Sequence, residues 1–489
     1  MKIASPQPHT TRAITNDEAL RRCQTALDQK DRGDYKGAQD TMRRLWEGVG
    51  TRPTIQGLDA SVAADVLLCA GILTGWIGSK TQVKDAQETA KNLISESITL
   101  YESIGDLKNV AVARTEIAYC YFREGEFNEA RIMLSEALQR LTIEGLTRAR
   151  ALLKLAIVEE SAAHYYEALK LLTDNTALFE KVGSNITKGV YRNELARTLE
   201  FIATAENRND LLPQAFNEYK AADHYFTLAR NPIFRASVKN NIAGILFKQS
   251  RFRESHKYLT KARRLTVTLG DKAQTAQIDW TRAEVLLAEG KCKEAEVVAG
   301  KAAKALAKSG HRCLVAEALI TQGIALARSR KTERAKFIFQ KAIDAALRVD
   351  AANLAGLAAL TLIEEVELPP MVLRAAYQRA REWLADSQSQ DVLSRLNKAA
   401  GKFISSVQTE LSADEATDIL LEQGCDLQEK LLQVERELIR QALAQTNGRV
   451  TPAAALLGIS YQALAYIIPS RHPDLLKQRT PVRRRARKT

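Results

Sequence analysis

The stretch GDYKGA at residues 33–38 returns in altered form as GEFNEA at residues 125–130. Both place a small residue first, an aromatic two positions later and alanine five positions later. Allowing any apolar or compact residue at the second place, and alanine or serine at the third, finds six further copies. They are TQVKDA from Thr81, AHYYEA from Ala163, DLLPQA from Asp210, SRFRES from Ser250, GKCKEA from Gly290 and RKTERA from Arg330. The starts lie 38 to 48 residues apart, and the last four are spaced evenly by 40. Seven residues before each start stand Ala26, Thr74, Ala118, Ala156, Ala203, Ala243, Ala283 and Gly323, all small. Five after each start stand Ala38, Ala86, Ala130, Ala168, Ala215, Ser255, Ala295 and Ala335, again all small.

Small residues on both arms of a hairpin let two helices cross closely, and larger apolar residues follow helical spacing around them. Ile117, Tyr121, Leu134 and Ala137 do so in the third unit. This register resembles the tetratricopeptide repeat family in its longer-helix variety, with eight units across about residues 17–348. The usual unit is ~34 residues, so these helices are roughly one turn longer. The family's Trp is mostly missing, and Cys292 and Thr332 replace the turn aromatic. The resemblance implies a superhelix whose concave face holds a peptide or protein partner. Arg114, Asn193, Asn240 and Asn241 are the candidates on that face, because an asparagine amide both donates to and accepts from an extended backbone.

The composition agrees. A chain of 489 residues exceeds a single core, and few glycines (24) and prolines (11) favour an all-α fold. Residues 1–16 are expected to be disordered. After Asp350 the periodicity fades, although residues 351–367, 371–387 and 391–406 still read as helical, interrupted at Pro369 and Pro370. Residues 349–410 are therefore expected to cap the array and connect it onward. SADE at residues 412–415 fits a capping box and marks a boundary near residue 410.

Several chemistries are missing from the sequence. Cys23, Cys69, Cys120, Cys292, Cys313 and Cys425 stand singly, without metal-ligand spacing, and read as buried free thiols of a reducing cytosol. GILTGWIGSKT at residues 71–81 approaches a phosphate loop, but Ser79 separates Gly78 from Lys80 and the stretch reads as helical. The histidines are isolated. No catalytic residue, metal site or cofactor is expected, and the chain is not expected to be an enzyme. The N-terminus lacks signal-peptide character, and the apolar run at residues 66–78 is too short for a bilayer. A cytoplasmic location without membrane contact follows as an expectation.

The C-terminal segment reads differently. LQEKLLQVERELIRQALAQT at residues 427–446 is an amphipathic helix that Asn447 and Gly448 end. Thr451 then caps a short helix from Pro452 to Leu457, Gly458 turns, and Ser460 caps a third helix reaching about Ile468. Ala454 at the crossing, with Leu457, Ile459, Leu464 and Ile467 facing inward, fills the structural positions of a helix-turn-helix. From Arg471 to the end there are eight Lys or Arg against Asp474, so +7 of the chain's +13 lies in 19 residues. Charge so placed suggests a polyanionic partner. Arg449, Arg471, His472, Lys477 and Arg479 are candidates to hold phosphates, and a tail with Arg483, Arg484 and Arg485 can follow a groove.

ERELIRQALAQTNGRVTPAAALLGIS closely resembles the Fis-type helix-turn-helix over about residues 430–470. The resemblance implies double-stranded DNA as partner, dimers formed through the helix at residues 427–446, and insertion of the third helix into the major groove. Carried onto this chain, the contacts fall on Thr451, Ser460, Tyr461, Gln462, Ala463 and Tyr466. Gln462 can pair with adenine and Ala463 can pack on a thymine methyl. The sequence departs from the family in having no Lys or Arg at residues 460–470 and in Pro469, which is expected to stop the helix early. The domain is expected at residues 411–470, with a basic tail at 471–489. The expectation is a nucleoid-associated transcriptional regulator, all-α, in which a repeat superhelix controls the helix-turn-helix. The alternatives are an interaction scaffold whose C-terminal module dimerises or docks, and RNA binding through the basic tail.

Overall fold

The structure, a computed structural model, describes residues 14–143, 145–385, 387, 389–411 and 427–478. Every regular element among them is a helix, and the chain divides into two compact units, residues 1–329 and 330–489. The first unit stacks hairpins in chain order. They are α1 (Asn16–Asp31) with α2 (Tyr35–Met42), α3 (Ala60–Thr81) with α4 (Ala86–Ser103), and α5 (Leu107–Glu124) with α6 (Phe127–Arg140). Next come α7 (Leu146–Ser161) with α8 (Tyr165–Asp174), the short α9 (Thr176–Lys181), and α10 (Asn185–Ala205) with α11 (Leu212–Leu228). The pairs α12 (Pro232–Lys248) with α13 (Phe252–Thr268) and α14 (Lys272–Ala288) with α15 (Cys292–Lys308) follow, and α16 (Arg312–Arg328) closes the unit.

The expected register is visible in both the turns and the core. Gly33, Gly125, Ala163, Ser250, Gly290 and Arg330 open six of the eight motifs, and each takes a left-handed backbone with φ between 58° and 88°. That conformation ends the first helix and lets the next residue bond back to it, as Lys291 N does to Leu286 O at 2.9 Å. In the second and fifth motifs the left-handed residue is instead Gln82 and Asn207. Every small residue at the two diagnostic positions is buried. The close crossings they were expected to permit are present.

The glycines of residues 71–78 have the same purpose. They line the side of α3 that meets α4, where a Cβ on Gly78 would lie 2.2 Å from the Ala86 Cβ and one on Gly71 2.6 Å from Ile94. The phosphate-loop-like run is thus a helix-packing stripe. The helix it belongs to is longer than the apolar run suggested. With 22 residues α3 meets the length and composition needed to cross a membrane, yet 78% of its most apolar window is buried within the array. The cysteines depart in part from expectation: Cys23, Cys69 and Cys120 are buried, but Cys292 is half-buried and Cys313 exposed. Cys425 and the expected capping box at residues 412–415 lie outside the described residues.

Distant repeats of the first unit also touch. Asn231 donates its side-chain amide to the Asp31 carbonyl at 2.7 Å, and Ile233 packs where Gly33 has no side chain. Lys80 pairs with Asp271 at 3.0 Å, and Gly310 approaches Gln82. Turns of the first two repeats therefore meet turns of later ones, one superhelical turn along.

The second unit begins with α17 (Thr332–Leu347), α18 (Ala352–Glu365), α19 (Pro370–Trp383) and α20 (Gln390–Leu411). Pro370 stands at the start of α19, where no N–H is needed. Arg395 from α20 grips Glu364 with two hydrogen bonds of 2.8 Å, and Lys402 donates to the carbonyls of Ile363 and Glu364 at the end of α18. The C-terminal module consists of α21 (Leu427–Gln445), α22 (Val450–Leu456), α23 (Tyr461–Arg471) and a 3-10 turn (Pro473–Gln478).

The glycine stripe gives a direct test. Gly78→Leu is expected to destabilise the first unit by about 1–3 kcal/mol, because the added side chain must separate α3 from α4. Chemical denaturation followed by circular dichroism measures this, and an unchanged midpoint would contradict the close-packing account.

Candidate nucleic-acid interface and ligand cavity

The C-terminal module forms around a compact apolar core. Ile439, Ala442 and Leu443 of α21 meet Val450, Ala453 and Ala454 of α22 and Leu464 and Ile468 of α23. Leu457, Ile459 and Ile467 pack around them as expected. Asn447 and Gly448 both take left-handed conformations, and Gly448 N bonds to Leu443 O at 2.8 Å to finish α21. Gly458, at φ 67°, makes the second turn, and α22 and α23 meet at 101°. The Ser460 side chain accepts from Ala463 N at 3.0 Å and so starts α23. This is helix-turn-helix geometry.

Two local expectations are corrected. Thr451 is not the cap of α22; the helix begins at Val450, with Arg449 in the cap position and no side-chain cap bond. Pro452 is tolerated there because the first-turn N–H groups have no helical partner. Nor does Pro469 stop α23, which continues to Arg471. A proline removes a single backbone bond, and here the helix ends two residues later. His472 N bonds to Ile468 O at 3.0 Å, and Ser470 Oγ donates to Tyr466 O at 2.6 Å, so the last turn holds.

The predicted DNA-contacting residues separate into groups. Tyr461, Gln462 and Tyr466 project from the exposed side of α23, Tyr466 with 71% of its surface free. Ser460 and Thr451 are exposed, and Ala463 is half-buried. Arg449 and Lys477 are exposed cations, while Arg471 stands 3.3 Å from Glu435. His472 does not belong with them. It is 3% exposed, and its Nε2 lies 3.0 Å from Glu435 Oε2, so it anchors α23 to α21 instead of facing a ligand. Residues 473–478, expected as the start of a tail, fold back through buried Leu475 and an Arg436–Asp474 ion pair of 2.6 Å. Arg479, Arg483, Arg484 and Arg485 lie outside the described residues. From α19, Arg379 donates to the Gly458 carbonyl at 3.0 Å, a support that the sequence did not reveal.

The first unit holds a cavity of about 340 Å³ on the inner side of its superhelical turn. The first helices of six successive repeats line it. Trp76, Tyr119, Leu153, Ile157, Val190 and Phe234 supply apolar wall, and Lys30, Asp31, Glu116, Arg150, Lys154, Asn193 and Glu194 supply polar groups. The charges are mostly paired: Lys154 with Glu116 at 2.7 Å, and Arg150 and Lys30 with Asp31 at 3.0 and 2.8 Å. Burial pulls the Lys154 ammonium below its ordinary pKa against the pull of Glu116. Arg123 lies over both Trp76 and Tyr119, 4.3 and 4.6 Å from the ring centres.

Of the four partner-binding candidates, Asn193 lines the cavity, and Asn241 donates to its side-chain Oδ1 at 3.4 Å. Asn240 lies outside the lining, with a buried side-chain oxygen that accepts no hydrogen bond. Arg114 is turned toward Glu136, 2.8 Å away, and Glu102. The sequence reading missed the aromatic and charged lining. Its signal was present in the register. Tyr119 and Ile157 fall six residues before a motif start, Glu116 and Lys154 nine, Arg150 and Ser237 thirteen, and Glu194 and Phe234 sixteen. That stripe runs along the inward side of each first helix.

Beside the cavity, Glu160 and Glu194 both approach Arg197, at 2.8 and 3.3 Å. Burial, reinforced by neighbouring Glu194 and opposed by Arg197, pushes Glu160 up to about 8. Between the usual carboxyl range and that value, the folded chain holds a proton that the unfolded chain has lost. Stability complete at low pH therefore declines as pH rises toward 8, by at most about 1.4 kcal/mol per pH unit. Glu160→Gln is expected to flatten this decline in denaturation curves recorded between pH 5 and 8. Parallel slopes in both proteins would show that Glu160 carries no such proton.

Residues 430–466 match the profile of the family described as "Bacterial regulatory protein, Fis family". Among solved structures, a signal transduction ATPase with numerous domains from Pyrococcus horikoshii, which carries a tetratricopeptide repeat sensor, resembles the chain with a TM-score of 0.53 at 14% identity. The likeness covers 80% of this chain and 56% of that one, so the chain spans little more than half of that protein. A Rap protein in complex with competence and sporulation factor matches with a TM-score of 0.48 at 14% identity, over 70% of this chain and 94% of that one. No curated protein matches. The likeness to the ATPase concerns fold alone, and it agrees with the hairpin register. The first unit thus has a fold like that of tetratricopeptide-repeat structures, and residues 430–466 match the Fis family of bacterial regulatory proteins.

Proposed function

We propose that the chain is a DNA-binding transcriptional regulator whose repeat array binds a peptide or protein on its inner face and thereby controls the helix-turn-helix. The observation that carries the reading is the open side of α23. Tyr461, Gln462 and Tyr466 point outward from a helix whose opposite side is packed, on a segment that matches the Fis family. Phosphate contacts need cations within reach, not on the reading helix itself, and Arg449 and Lys477 are exposed nearby in sequence. The cavity supports the second half of the proposal, since a concave, largely apolar site with a few polar groups is the usual form of a ligand site. A nucleoid-associated, cytoplasmic location goes with the reading. Dimerisation through α21 belongs to it as well, and Leu431 and Leu432 on that helix are 43% and 41% exposed.

The same exposed leucines favour the second reading, a scaffold whose C-terminal module only dimerises. Duplex DNA titrated at several salt concentrations decides between them. Full-length protein is expected to bind, with affinity falling steeply as salt rises. A version ending at Gln478 keeps Leu475 and His472 in the core and loses Arg479, Arg483, Arg484, Arg485, Arg487 and Lys488. Its salt slope is expected to be shallower by as much as about 5, at roughly 0.9 per phosphate contact. Absence of binding by either protein at low salt would sink the regulator reading. A Gln462→Ala variant is expected to lose about 1–3 kcal/mol of discrimination at one base pair with little change on non-specific DNA. Uniform weakening across sequences would remove Gln462 from base readout.

A further inference from the structure

One wall of the repeat-array cavity differs from the rest. Elsewhere on the lining, Lys30, Arg150 and Lys154 all meet carboxylates. Glu194 is 6% exposed and lines the cavity, yet only its Oε1 accepts a hydrogen bond, from Asn193 at 3.0 Å. Its Oε2 accepts none, and neither does Oε2 of buried Glu160 beside it. Arg197 donates to Glu160 Oε1 at 3.0 and 2.8 Å; it stands 3.3 Å from Glu194 Oε2 without forming a hydrogen bond. Two buried carboxylates and the one guanidinium that reaches them are one positive charge short of neutrality, since Arg123 nearby stacks on Trp76 and Tyr119 instead, and a burial this deep does not tolerate the deficit. A single proton on the more deeply buried Glu160 supplies it.

A cation delivered by a ligand supplies it equally well. We propose that the cavity takes a ligand with a protonated amine on an aliphatic or aromatic body, whose ammonium binds Glu194 and displaces the proton held by the Glu160–Glu194 pair. This rests on the reading that the inner face of the array is a ligand site. The exchange balances: the ammonium enters with its three N–H donors, the proton leaves to solvent, and the carboxyl that held it becomes a second carboxylate, so two negative charges face the ammonium and Arg197. The apolar body meets Trp76, Tyr119, Val190 and Phe234. At about 340 Å³ the cavity lies within the ~300–1,000 Å³ range of small-ligand sites. Tyr119 from α5 and Tyr219 from α11 also face the acidic pair, and burial holds both hydroxyls protonated. The Tyr219 hydroxyl donates a hydrogen bond to Glu200 at 3.0 Å, and Lys154 across the cavity is committed to Glu116. The amine is either the N-terminus of a short peptide or that of a small free molecule.

Isothermal titration calorimetry of the full chain tests this near pH 7, in two buffers of different ionisation enthalpy. The probes are phenethylamine and a leucyl-phenylalanyl amide dipeptide, each beside its N-acetylated form. The free amines are expected to bind at least about ten-fold more tightly than the acetylated forms and to release up to about one proton. Whichever free amine is preferred identifies the source. Glu194→Gln should abolish the preference, while Glu160→Gln should retain binding without proton release. Val190→Trp, which fills the cavity, should remove binding altogether. Equal binding of free and acetylated probes, or a preference that survives Glu194→Gln, overturns the amine assignment. If the acetylated dipeptide binds and Val190→Trp blocks it, the ligand-site reading stands and the amine assignment falls; if Val190→Trp changes nothing, both fall.

Discussion

The close approach of paired helices is the constraint on which the rest of the first unit depends. At each crossing one helix contributes Ala, Thr or Gly and its partner Ala or Ser, and all of these are buried. Interiors pack at near-crystalline density, so a larger side chain at such a place must push a whole helix outward. The shift would change the angle between successive hairpins, and the angle determines where the first helices converge. The cavity and its carboxyl pair are in this sense products of the small residues, although none of these lines it.

The same logic explains what the sequence made legible. A crossing repeats in every hairpin, so its small residues recur at fixed offsets, and the motif starts carry the left-handed turns in six of eight cases. The cavity lining does not recur in kind. Its offsets are regular, but Glu116 and Lys154 occupy equivalent places with opposite charge, and aromatic Tyr119 is matched by aliphatic Ile157. A search for like residues passes over a surface whose members differ because each repeat faces a different part of one site. The pairing of Glu160 with Glu194 was beyond reach for a further reason: it joins α7 to α10 across an inserted short helix, and only the fold brings them to one arginine.

In the C-terminal module the expected core residues are where the pattern placed them, whereas its edges moved. Proline was read as a stop at 469 and as a first residue at 452, and the structure accommodates both inside helices. The deciding circumstances were tertiary. Glu435 holds His472 and Arg471, and buried Leu475 draws the following turn onto α21. A histidine beside Arg471 at the start of a basic segment looks like part of a charged arm until its carboxylate partner is seen, 37 positions away in sequence.

The contact between Asn231 and Asp31, with those of Ile233 on Gly33 and Lys80 on Asp271, changes the mechanics of the array. An open stack of repeats yields locally: a disturbance in one hairpin reaches its neighbours and fades. A stack fastened to itself one turn later becomes a closed loop, in which widening the bore at any point must either stretch the fastening or release it. Occupancy of the bore and integrity of the clasp are then two readings of one mechanical coordinate. A pull exerted at the sixth repeat is felt at the first without passing through the hairpins between them.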